Sequence, residues 1–167
     1  TSDNTRLIVL TDDARLANFS FNHTDIVPVP PPNNAMETNS YRFLRALYYL
    51  DSRADWTHAY MIDASDVTAF QRPQTRADQL VVGVDTAKTW MSRLMAAQNY
   101  TPSTALRSML NDKHKIMFNC GIVGGSRERV LDVLRALRVR ILAHPMVYDM
   151  IHVNEIFVHT PVPLTLG

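Results

Sequence analysis

His58-Ala59-Tyr60-Met61-Ile62-Asp63-Ala64-Ser65-Asp66 is the stretch on which the reading of this chain turns. A short apolar run ends at Ile62, and two carboxylates, Asp63 and Asp66, follow it. The run has the length of a buried strand, and its exit is a place that solvent or ligand can reach. Two carboxylates there are well placed to hold a hard divalent cation through oxygen ligands. Asp is also common where strands give way to turns, so a simple strand end accounts for the same residues.

Upstream of this stretch, Ser40 is expected to cap a helix in which Tyr41, Leu44, Leu47 and Tyr48 recur at helical spacing. Phe43 and Leu50 widen that apolar stripe, and Arg42 lies on the same helix. Downstream, Leu80-Val81-Val82-Gly83-Val84 reads as a strand, and Thr86 to Gln98 as a helix turning Trp90, Leu94 and Met95 inward. Thr104 to Leu110 suits a short helix, and Lys115 to Phe118 a further strand. Asn119-Cys120-Gly121 follows, then Gly124-Gly125 as a tight turn, with Ser126 capping a helix that buries Val130, Leu131, Leu134, Leu137 and Ile141. Pro145 fits the start of a last helix reaching about Phe157, while Pro161 and Pro163 discourage regular structure after it.

Nearer the start, Arg6 to Leu10 reads as a strand ending in Thr11-Asp12-Asp13. The proline-rich segment from Val27 to Asn34 reads as an extended connector, since proline lacks a backbone donor and restrains the residue before it. Strands alternating with helices imply an α/β fold with a largely parallel sheet. A chain of 167 residues suits a single domain, 1–167, of a size that removes roughly 70% of its unfolded surface from water.

Composition narrows the function classes. Seventeen basic against sixteen acidic residues leave no excess positive charge for a nucleic-acid partner. Cys120 stands alone, which excludes an internal disulfide and a cysteine-rich zinc site. Charges interrupt every apolar stretch before the ~20 residues a bilayer span needs, so the chain reads as a soluble domain. Asn18-Phe19-Ser20, Asn22-His23-Thr24 and Asn99-Tyr100-Thr101 match the glycosylation acceptor pattern, leaving cytoplasm and secretory lumen both open. The chain starts without Met, which suits a processed or excised part of something longer.

Taken in order, these segments resemble the GT-A glycosyltransferases, which use nucleotide-sugar donors. The resemblance rests on the Arg42 helix, the strand into Asp63-Ala64-Ser65-Asp66-Val67, the run from Phe118 to Gly125, and Asp149-Met150-Ile151-His152-Val153-Asn154. It implies a GT-A-like, Rossmann-like mixed and mostly parallel sheet flanked by helices, with Arg6 to Leu10 as its first strand. It further implies that Asp63 and Asp66 bind Mn²⁺ or Mg²⁺ together with the donor diphosphate, and that Arg42 holds phosphate. Asn119, Gly121 and Asn154 would line the sugar and acceptor pocket, and Asp149 would orient a hydroxyl-bearing acceptor or act as general base. Spacing at Asp63 and Asp66 departs from the family's Asp-X-Asp, Met150 stands where the family has Gln, and His159 could replace a later metal-binding His.

Two other classes compete with transfer. A binding or assembly domain would keep the fold without the reaction. A nucleotidyltransferase would use a related sheet with acids and magnesium, yet would need a Gly-rich basic loop after its first strand, and Thr11 to Ser20 holds no glycine.

Overall fold

The apolar periodicities produce a mixed α/β chain, seen in a computed structural model that describes residues 5–19, 21–32, 34–63, 79–85, 88–159 and 164–166. The chain divides into two compact units, Thr1–Asn34 and Ala35–Gly167. In the first, β1 (Leu7–Thr11) forms where its apolar run predicts, and it pairs in parallel with β2 (Thr24–Pro28). The connector read from Val27 to Asn34 overlaps only the end of β2, whose Pro28 lies on an edge strand of a two-stranded sheet, where a missing donor is tolerated. This two-stranded sheet is separate from the four-stranded one, so β1 is not the first strand of a larger sheet.

The second unit holds α1 (Thr38–Asp51), β3 (His58–Ile62), β4 (Leu80–Asp85), α2 (Lys88–Ala97), α3 (Thr104–Asn111), β5 (Met117–Ser126), α4 (Arg127–Ala143), α5 (Asp149–Phe157) and β6 (Leu164–Leu166). The strand order is β3-β5-β4-β6. The expectation of a mostly parallel sheet is corrected: β5 runs antiparallel to both β3 and β4, and only β4 with β6 is parallel. A single helix between strands carries the chain across to a parallel neighbour, whereas a pair returns it to the end it left. β4 and β5 are joined through α2 and α3, and Met117 accordingly stands opposite Asp85.

Other local expectations shift for identifiable reasons. Asn119 to Gly125 is not loop and turn but part of the ten-residue β5. Gly124 lies opposite Tyr60, and a Cβ there would come within 2.6 Å of the Ala59 carbonyl oxygen. Gly125 has φ 153°, so the glycine pair serves close strand contact rather than a turn. α1 begins earlier than expected, because the Glu37 carboxylate accepts from the amides of Asn39 and Ser40; Ser40 is buried and its hydroxyl donates to the Val147 carbonyl at 3.0 Å. The buried face of α1 is Ser40, Phe43, Ala46 and Leu47, with Tyr48 exposed. α5 starts at Asp149 rather than near Pro145, and β6 forms after the prolines, which lie outside the described residues.

The core closes between the sheet and α4 and α5. All five predicted α4 residues, Val130, Leu131, Leu134, Leu137 and Ile141, are buried. Ser126 takes the N-cap position of α4 without a side-chain capping bond. No described helix is long and apolar enough to cross a membrane.

His152 of α5 is fully buried, and neither ring nitrogen has a hydrogen-bond partner among the described residues. Burial, helped by the nearby Arg140 and by the charge of His144, pulls its pKa down to about 4 against the opposing influence of the His144 and Val147 backbone. Between the ordinary histidine value and about 4, the unfolded chain binds a proton that the folded one refuses. This contribution to stability is therefore fully present above pH ~6.5 and is lost as pH falls through ~4. In urea titrations, His152→Leu is expected to flatten the pH dependence over that window, by on the order of 2 kcal/mol at pH ~5 relative to the parent.

Candidate functional site

β3 and β4 flank β5 and run parallel to each other, so Asp63, just past β3, and Asp85, the last residue of β4, stand at the same end of the sheet. Carboxyl ends of strands are where open α/β sheets bind ligands. The register on β5 jumps there from Val82↔Val123 to Gly83↔Asn119, leaving Cys120, Gly121 and Ile122 without partners on β4. Such a bulge bends its strand and re-aims side chains. On the other side the ladder holds: Ile62 faces Ile122, and the Asp63 amide donates to the Gly121 carbonyl at 2.8 Å.

Asn119 fixes the bulge locally. Its Oδ1 accepts from the Gly121 amide at 2.6 Å, and its Nδ2 lies 3.5 Å from Asp85 Oδ2. Gly121 leaves space that any side chain would fill, since a Cβ there would sit 2.9 Å from Asn119 Oδ1 and 3.9 Å from the Asp63 Cβ.

α5 is locked to the same strand from behind. The buried Asn154 accepts from the Phe118 amide at 2.9 Å and donates to the Phe118 carbonyl at 2.7 Å, as a second peptide would. Two residues on, the Cys120 amide points at Met150 Sδ, 3.4 Å away. Asp149, at the first turn of α5, is thereby carried to the bulge. The Ser40–Val147 bond ties the start of α1 to the segment before α5, which brings Arg42 to the same place.

Arg42 joins the parts. Its Nη1 is 3.1 Å from Asp63 Oδ1, and its Nη2 is 2.8 Å from Asp149 Oδ2 and 3.3 Å from both the carbonyl oxygen and the sulfur of Cys120. Burial opposes the arginine's charge, but Asp149, Cys120 and Asp63 outweigh it and its pKa rises. Burial pushes Asp149 above the ordinary carboxylate range, against the pull of Arg42 and of the Met150 amide that donates to it. Burial likewise raises the Cys120 thiol, which keeps it protonated and unreactive.

Arg42, Asp63, Asn119, Gly121 and Asp149 line one cavity of about 520 Å³, together with Cys120 and Met150. Of the other site candidates, Asn154 is not among them: it is fully buried, and its amide is spent on Phe118 and on the Met150 carbonyl. Asp66 lies outside the described residues. His159 does not line the cavity. Sequence reasoning missed Asp85, although it ends an apolar run just as Asp63 does. It also missed Trp90, which lines the cavity at 48% exposure, while Met91 and Met95 take the inward face of α2.

The donor set bears on which groups the cavity suits. Among the described residues, no three His, Cys, Asp or Glu side chains gather as a metal cage. Asp63 offers a half-exposed carboxylate with one oxygen on Arg42. That fits a Mg²⁺-like cation, which is commonly held by one or two carboxylates plus phosphate oxygens and water. The Nη1 and Nη2 groups of Arg42, on Asp63 and Asp149, are charged donors of the kind that suit an anion. Comparison with known proteins adds no assignment: no family model matches the chain, and no curated protein matches it.

Two variants separate placement from chemistry. Asn154→Ala is expected to lower stability by about 2–4 kcal/mol, because it strands both polar groups of Phe118 and opens a void. Arg42→Met is expected to cost about 1–3 kcal/mol at pH 7 by leaving the Asp149 carboxylate buried and unpaired, and adding Asp149→Asn should recover part of that loss. Urea unfolding of the three proteins checks both statements.

Proposed function

We propose that this cavity binds the diphosphate of a nucleotide-sugar, and that the chain transfers the sugar to a hydroxyl acceptor. The observation that carries this reading is the convergence of Arg42, Asp63, Asp149 and the Asn119–Gly121 bulge on one concave surface at the strand ends. Support also comes from the resemblance of these same segments to GT-A glycosyltransferases, whose fold the second unit is proposed to share as a mixed sheet.

In this reading Arg42 meets the phosphates through its Nη atoms, giving up part of its hold on the two carboxylates. Asp63, with Asp66, would hold Mn²⁺ or Mg²⁺, which neutralises charge on the departing diphosphate. Asn119 and Gly121 shape the sugar pocket. The acceptor oxygen forms a bond to the anomeric carbon, the bond from that carbon to the diphosphate oxygen breaks, and the nucleoside diphosphate leaves with the electron pair. Asp149 takes the acceptor's proton, a role suited to a carboxylate whose pKa burial has raised.

A domain that holds the donor without transferring it is the second reading. Met150 favours it, since its sulfur is occupied by the Cys120 amide and presents no amide to a substrate.

Calorimetry with UDP-, GDP- and ADP-sugars, with and without Mn²⁺, tests the donor site. Saturable binding of one donor is expected, strengthened by Mn²⁺, weakened at least about tenfold in Arg42→Met, and stripped of its metal dependence in Asp63→Asn. The absence of metal-dependent binding to any nucleotide-sugar would sink the reading. Where donor binds, release of nucleoside diphosphate in the presence of acceptors distinguishes an enzyme from a binding domain.

A further inference from the structure

Asp63 and Asp85 sit on opposite sides of β5, two strand spacings apart across the sheet, a lateral separation of about 10 Å. The two sides differ in chemistry. Toward β3 the cavity carries Arg42, the one cation among its lining residues. Toward β4 it carries the Asp85 carboxylate and the Asn119 amide, and Trp90, five residues beyond Asp85 in the chain, lines the same cavity.

Trp90 is not held there by the core. Met91 is fully buried and Met95 nearly so, while Trp90 keeps 48% of its surface exposed although it is among the largest apolar side chains of the unit. An indole that lines a polar cavity forgoes burial that it would gain inside, unless a ligand covers it. Its π-face is electron-rich and attracts the weakly positive C–H groups of a saturated ring. A carboxylate accepts two hydroxyl donors at once, and an amide beside it supplies a donor to a third. Phosphate or any other anion is disfavoured at this position by Asp85.

We propose that the Trp90 side of the cavity is a saccharide subsite, in which a neutral pyranose ring stacks on Trp90 and its hydroxyls hydrogen-bond to Asp85 and Asn119. The acceptor class is then carbohydrate rather than a protein or lipid hydroxyl. This rests on the reading of the cavity as a sugar-transfer site, and it adds which substrate lies on which side of β5.

The chain has two tryptophans, and Trp56 lies away from the cavity, its indole donating to the Leu50 carbonyl. In full-length Trp56→Phe, emission therefore reports Trp90 alone. The probes are methyl glycosides of glucose, galactose, mannose, xylose and N-acetylglucosamine, their common disaccharides, and UDP and GDP. At least one saccharide is expected to shift Trp90 emission saturably without nucleotide. In the same background Asp85→Asn should weaken that response about tenfold. By calorimetry in the parent chain, Trp90→Phe should retain saccharide binding and Trp90→Ala lose it.

A shift with UDP or GDP and none with any saccharide would make Trp90 a nucleobase platform and overturn the proposal. Silence with every probe overturns it as well. The saccharide titrations contain no nucleotide, so they report this side of the cavity independently of the phosphate side. A saccharide response with no nucleotide-sugar binding in calorimetry would therefore sink the transfer reading while leaving the subsite standing.

Discussion

The pair of hydrogen bonds between the Asn154 side chain and the backbone of Phe118 is the constraint on which the site depends. Phe118 stands just before the β5 bulge, and Asn154 is fully buried behind it. An amide side chain that donates and accepts like a peptide pins a helix to a strand in one register, because a shift in either direction leaves polar groups unsatisfied. With α5 fixed in that way, Asp149 and Met150 meet Cys120, and the segment before α5 receives the start of α1 through Ser40 and Val147. The geometry of Arg42 follows from these two anchors.

The bulge has the complementary effect on the other side of β5. It keeps pairing with β3 while releasing Cys120 to Ile122 from β4, so one strand both completes the sheet and opens its end. Asn119 closes its own local bond to Gly121 and keeps that opening rigid. Charge then accumulates where backbone regularity is broken: two strand-end acids, a buried helix-start acid and one arginine between them. Arg42 compensates Asp149 inside and Asp63 outside. That compensation makes a buried carboxylate tolerable, and the same geometry leaves the guanidinium at the mouth of a cavity where an anion can compete for it.

Much of this was legible in the sequence where the signal is local. The apolar runs marked β1, β3 and β4, and the α4 stripe gave all its buried residues but Val133, because helical periodicity reports which face of a helix packs inward. Asp63, Arg42, Asn119, Gly121 and Asp149 were all found as candidates and share one cavity. The misses share a cause. Gly124 and Gly125 carry the composition of a turn, yet their lack of side chains serves Tyr60 and the β4 backbone across the sheet. Asn154 has the residue type of a binding group, yet its partner is a strand 36 residues away. Trp90 fits an inward stripe, and Met95 of that stripe is buried as expected, but only the placement of Met91 beside it shows that the buried face is turned away from Trp90.

By itself the sequence determined the inventory: which runs are apolar enough to form strands, which helices are amphipathic, and where acids follow strands. Those are properties of near neighbours, and propensity and periodicity encode them. Tertiary structure alone decided the direction of β5, the bulge in its register, the burial of Asn154 and His152, and the meeting of Arg42 with Asp63 and Asp149. Each of these depends on hydrogen bonds and close contacts between residues far apart in the chain, where many pairings satisfy the same local pattern and only global packing selects among them.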